Sequence, residues 1–147
     1  MYEHGLLTPV VALAAWSLIM LIWLYATRIP AMSRAKIKPG DLKPGADLPT
    51  LPPWATNVAD NYNHLMEQPT IFYAVALSLQ LLGQTHPINI TLAWIYVGLR
   101  VLHSLVQALG NIIILRFFIF VISSIVLAML IFHAAIGVGL VQLNFSH

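Results

Sequence analysis

Two stretches of this sequence run without formal charge for longer than a soluble helix would tolerate. One extends from Gly5 to Thr27, and the other fills the 32 residues between Glu67 and Arg100. Crossing the hydrocarbon core of a bilayer takes about 20 residues. A third apolar run follows Gly110 and Asn111 and, apart from Arg116, continues through Leu143. The whole composition agrees, with 59% apolar and 8% charged residues, against roughly 25% charged in soluble proteins. The solvent of such a chain is lipid.

The turns divide these runs into helices. GQTHP, at Gly83 to Pro87, breaks the 32-residue run, and Gly110–Asn111 breaks the next. Helices are expected over about 6–29, 60–82, 88–109 and 112–143, forming an all-α, integral membrane four-helix bundle in a single domain. A secretory signal peptide is the competing reading of the first helix. It fits poorly, because Glu3 stands where a basic cluster is needed and the apolar run exceeds about 7–15 residues.

The long polar stretch from Arg28 to Asp60 contains six of the nine prolines and the run KIKPGDLKPGADLPTLPP, and reads as a loop over about 30–59. It also carries Arg28, Arg34, Lys36, Lys38 and Lys43, five of the seven bases. The positive-inside rule places that loop in the cytoplasm and, with four crossings, both termini outside. A bacterial inner membrane is the expected location. The net charge of +2 reflects scarce acids and not a basic patch, so nucleic acid is not an expected partner. There is no cysteine. Any thiol chemistry must take its thiol from a substrate.

Ionisable groups inside a membrane span are costly, so each is a functional candidate. On the second helix Asp60, His64, Glu67, Ile71, Ala74 and Ser78 recur at helical spacing and share a face. Ala93, Tyr96, Arg100, His103 and Gln107 do the same on the third. Glu67 lies about 10 Å along its helix from Asp60, and Arg100 about 14 Å from Leu109, so the two charges are expected at similar depth, facing one another as an ion pair. Such a pair serves either as a structural lock or as the lining of a polar cavity that also holds His64, His103, Gln107 and Asp60. Pro69 is expected to kink the second helix by freeing the carbonyl of Leu65. His133 reads as a packing histidine with small and apolar neighbours. His64, Glu67 and His103 imitate a two-histidine, one-carboxylate metal set, but Arg100 competes for Glu67, and no metal is expected.

Two segments carry a family resemblance. NHLMEQPTIFY, with Glu67, Pro69 and Phe72, and GLRVLHSLVQALGNIIILRFF, with Arg100, His103 and Arg116, resemble the MAPEG family, the membrane-associated proteins of eicosanoid and glutathione metabolism. The Arg-x-x-His form is similar to the prostaglandin E synthase branch and to small bacterial members. The resemblance implies a left-handed bundle assembled as a homotrimer, with glutathione bound between subunits on the cytoplasmic side. It implies that Arg116 stabilises the glutathione thiolate, and that Arg100 and Glu67 hold the peptide's charged ends beside His103, His64 and Gln107. Three positions depart from the family pattern: His64 replaces an Asn, Asp60 an Arg and Gln107 a Tyr. An acid at Asp60 disfavours a tripeptide with two carboxylates. The functions to separate are a glutathione-dependent transferase or peroxidase acting on lipophilic substrates, a non-catalytic subunit of a larger membrane complex, and a lipid- or quinone-binding protein.

Overall fold

In the computed structural model, residues 4–38, 40, 42–43 and 50–141 are described. Five helical segments follow in order: α1 (Leu7–Arg34), α2 (Pro53–Leu65), α3 (Gln68–Leu81), α4 (Pro87–Leu109) and α5 (Ile113–Gly137). The second and third make one crossing, interrupted at Met66 and Glu67, so the bundle has four. Prolines open three of the segments, at Pro53, Pro69 and Pro87. Each sits in a first turn, where its missing amide hydrogen costs nothing. Gly83 (φ 69°) and Asn111 (φ 47°) adopt left-handed backbone in the turns after α3 and α4, a conformation that Gly and Asn enter most readily.

Three boundaries differ from the sequence reading. The first helix continues through Pro30 to Arg34; the lost hydrogen bond falls in its last turns, near water, where it is cheap. Part of the expected loop is helical, because Pro52 and Pro53, breakers in the sequence reading, start α2. The last helix ends at Gly137, and Gly139 takes φ 77°; residues 142–143 lie outside the described residues. The kink expected at Pro69 is a full break. Glu67 leaves helical geometry at φ −90° and ψ −97°, and the chain restarts one residue later.

Helices α1, α4 and α5 are each long and apolar enough to cross a membrane, with mean hydropathy of 2.2, 1.4 and 2.7 over their best windows. Their outward faces carry large apolar side chains, among them Val11, Leu18 and Ile22 on α1 and Ile114, Phe118, Ile122 and Ile125 on α5. A protein in water would expose apolar patches of this extent only at an interface. Toward the α3–α4 turn, one core cluster joins Leu13, Phe72, Leu79, Ala93, Tyr96, Leu127 and Leu130. Toward the basic loop, a second joins Met20, Leu24, Val58, Leu65 and Ala108. The break at Glu67 falls between these two layers.

Candidate functional site

A cleft of about 260 Å³ opens near the α4–α5 turn, lined by His64, His103, Ile113, Arg116, Phe117 and Phe120. The turn creates it. Asn111, in left-handed backbone, donates its amide hydrogen to the carbonyl of Val106 at 2.7 Å and sends the chain back beside α4. Arg116, one turn into α5, then stands next to His103. Its Nη1 donates to Asn111 Oδ1 at 2.7 Å, and Asn111 Nδ2 donates to Asn57 Oδ1 on α2 at 3.2 Å. One asparagine thus ties α2, the turn and the cleft's cation together.

Histidines form the opposite wall. The His64 and His103 rings meet edge-on with centroids 6.3 Å apart, and His103 lies 6.5 Å from the Phe120 ring. His64 Nδ1 contacts Glu67 Oε2 at 3.1 Å, the one salt bridge among the described residues. Glu67, with its side chain 67% exposed, therefore reaches the cleft only through His64. Among the described residues no group of three His, Asp or Glu is placed to hold a metal.

Arg100 lies behind the cleft, 2% exposed. Its guanidinium carbon sits 5.4 Å from the Tyr96 ring centre and 5.2 Å from that of Phe120, where two aromatic faces offset part of the cost of burying the charge. Arg100 Nε donates to the Tyr96 hydroxyl at 3.2 Å. That hydroxyl donates to Gln68 Oε1 at 3.3 Å, Gln68 Nε2 to Ser124 Oγ at 2.7 Å, and Ser124 to the carbonyl of Phe120. The chain has a single direction and links α4, α3 and α5. Arg100 Nη2 has no partner among the described residues.

The expected pair between Glu67 and Arg100 does not form within the chain. The stripe Ala93, Tyr96, Arg100, His103 and Gln107 is buried throughout, whereas Asp60, Glu67, Ile71, Ala74 and Ser78 are exposed and His64 is half-exposed. The buried face of the second crossing is instead Asn61, Leu65, Pro69, Phe72, Ala76 and Leu79. That face is the more apolar, and it keeps helical spacing across the break. Burying it turns the charged face outward.

Other expected residues separate from the cleft. Gln107 is buried, with its Oε1 unpartnered among the described residues, as are both side-chain polar atoms of Asn61 and the hydroxyl of Ser104. Asp60 lines a different cleft of about 200 Å³ with Arg28, Thr50 and Thr56. His133 has a polar neighbour after all, with Nδ1 2.6 Å from Asn89 Oδ1. Gln68, Ser124 and the side-chain role of Asn111 escape the sequence reading, because Gln68 and Ser124 belong to neither polar stripe and Asn111 reads there as a helix break alone. The one available signal is the place of Asn111, in a helix-breaking turn between Gln107 and Arg116.

The model of the MAPEG family matches residues 6–136. No curated protein and no solved structure matches the chain.

Proposed function

Because this chain belongs to the MAPEG family, matched over residues 6–136, we propose that it is a glutathione-dependent transferase acting on lipophilic electrophiles at the Arg116 cleft. The observation that carries the reading is the donor set. Arg116 and two histidines line the cleft, no carboxylate among the described residues does, and Asp60, the acid that would oppose an anionic peptide, lines another cleft.

Glutathione would supply the thiol that the chain lacks. Arg116 provides the cation for a sulfur anion, which favours deprotonation and raises the population of nucleophile. Asn111 holds one arm of that guanidinium at 2.7 Å, so its position is set before a ligand arrives. Phe117 and Phe120 give the same cleft an apolar wall, open to a substrate dissolved in the bilayer.

The cleft's volume of about 260 Å³ falls below the range of roughly 300–1,000 Å³ usual for small-molecule sites. That shortfall favours a site completed by a second subunit. The outward face bearing His64, Glu67, Ile71, Ala74 and Ser78 supports a homotrimer that supplies the rest, since α3 spans about 21 Å and a carboxylate turned toward lipid below it would be expensive. The basic loop supports a cytoplasmic position for this end of the bundle. The test is conjugation of glutathione to 1-chloro-2,4-dinitrobenzene by the purified full-length protein in detergent. Turnover that falls by roughly tenfold or more in Arg116→Ala supports the reading. Absence of turnover, with no effect of glutathione on stability, rejects it.

A further inference from the structure

The end of the bundle opposite Arg116 holds a second cavity, of about 190 Å³, lined by Gln84, His86, Ile88, Asn89, His133 and Ile136. Its central feature is a hydrogen-bond chain with a fixed direction. Asn89, 2% exposed, lies with one amide atom 2.8 Å from the backbone carbonyl of Gln84. A carbonyl only accepts, so that atom is the nitrogen Nδ2. The other, Oδ1, then faces His133 Nδ1 at 2.6 Å. An amide oxygen also only accepts, so Nδ1 carries the ring's hydrogen. In a neutral imidazole this leaves Nε2 as an acceptor, and the hydrogen bond this ring makes among the described residues is the one at Nδ1.

We propose that this cavity binds the phenolic head of a lipophilic molecule, with the phenol hydroxyl donating to His133 Nε2 and the ring lying between Ile88 and Ile136. The acceptor selects a hydroxyl donor and disfavours carboxylates and phosphates, whose lone pairs would meet that of Nε2. Size selects the ring: a cavity of about 150 Å³ holds benzene, and the volume here leaves room for one ring with its hydroxyl. A metal ion is a poor fit, since among the described residues no three suitable ligands converge. The mouth lies beside the α3–α4 turn, where an amphiphile with an apolar tail reaches it from the lipid. This site is independent of the Arg116 cleft and of the transferase reading.

The experiment titrates the unfolding temperature of the purified full-length protein in detergent with 4-hexylphenol and with its methyl ether, 4-hexylanisole. The phenol is expected to raise it saturably, by about 3–6 °C at ten times the half-saturating concentration, and the ether, which cannot donate, is expected not to. The rise should persist in Arg116→Ala and vanish in Ile136→Trp, which fills the cavity and leaves the His133–Asn89 bond alone. Nitrogen NMR of histidine-labelled wild-type protein should show His133 protonated at Nδ1, with the Nε2 resonance moving on addition of the phenol. Equal responses to phenol and ether, no response to either, a response that survives Ile136→Trp, or a proton on Nε2 in place of Nδ1 would overturn the proposal. If Ile136→Trp does not fold, the wild-type NMR measurement decides alone.

Discussion

Arg116 donates to Asn111 Oδ1 over 2.7 Å from the first turn of α5, and the same asparagine, in left-handed backbone at φ 47°, donates to Asn57 on α2. Backbone and side chain thus act together at one position, and substitution can separate them. Asn111→Gly keeps access to the left-handed turn and removes both side-chain bonds. Asn111→Ala removes the bonds and adds strain, so it should be the less stable of the two by about 1 kcal/mol. Both should lose activity alike, because both release Arg116. Equal stability with unequal activity, measured by thermal unfolding and by glutathione conjugation, would contradict this division.

The Tyr96 hydroxyl is the junction between Arg100 Nε and Gln68 Oε1. Tyr96→Phe leaves a buried guanidinium with one partner fewer, and hydrogen bonds to charged groups contribute about 1.5–3 kcal/mol. A loss of that size in equilibrium unfolding is expected. Gln68→Leu should cost less, about 1 kcal/mol, and the double variant should cost less than the sum of the two, because the hydroxyl connects them. Strict additivity would mean that the chain of donors is not a unit.

Glu67 and Arg100 should behave independently. Glu67 is exposed and paired with His64, so Glu67→Gln is expected to cost under about 1 kcal/mol. Arg100→Met should cost several times more, through loss of the Tyr96 bond and the two ring contacts. A coupling energy above about 1 kcal/mol in a double-mutant cycle would show that the two residues meet.

The charge-free runs and the two breaks predict the helices and their order, since crossing a bilayer imposes length and the turns contain Gly, Pro and Asn. The cleft is legible in part. His64, His103 and Arg116 carry charge or titratable rings, and the structure brings all three to one cleft. The facing of the second crossing is not legible. Two stripes with helical spacing share that crossing, and periodicity identifies both faces without saying which is buried. The prolines mislead in one direction, because Pro52 and Pro53 begin a helix and Pro69 begins another. The Tyr96–Gln68–Ser124 chain depends on distances between three helices, which no local pattern encodes.

The outward face of α2 and α3 makes a prediction about assembly. Ala74 is exposed at its centre, and Ser78 Oγ donates back to the Ala74 carbonyl at 2.8 Å, so the face is small and smooth there. Ala74→Trp should disrupt a homotrimer while leaving the chain folded, because the side chain at this position points away from the buried stripe. Native mass spectrometry from detergent should show trimer for the wild type and smaller species for the variant. A trimer that survives Ala74→Trp would place the subunit contact elsewhere.

If the Arg116 cleft receives a thiol peptide, glutathione must stabilise the protein, because a ligand held only by the folded state raises its unfolding temperature. The measurement is a titration of wild-type and Arg116→Ala protein with glutathione and with its S-methyl derivative. Glutathione should stabilise the wild type in the millimolar range, and the S-methyl derivative, which cannot form a thiolate, should stabilise it less. Arg116→Ala should abolish the difference between the two ligands, while part of the binding remains through the rest of the peptide. Identical responses to both ligands in the wild type, or no response to glutathione anywhere in the millimolar range, would contradict that role for the cleft.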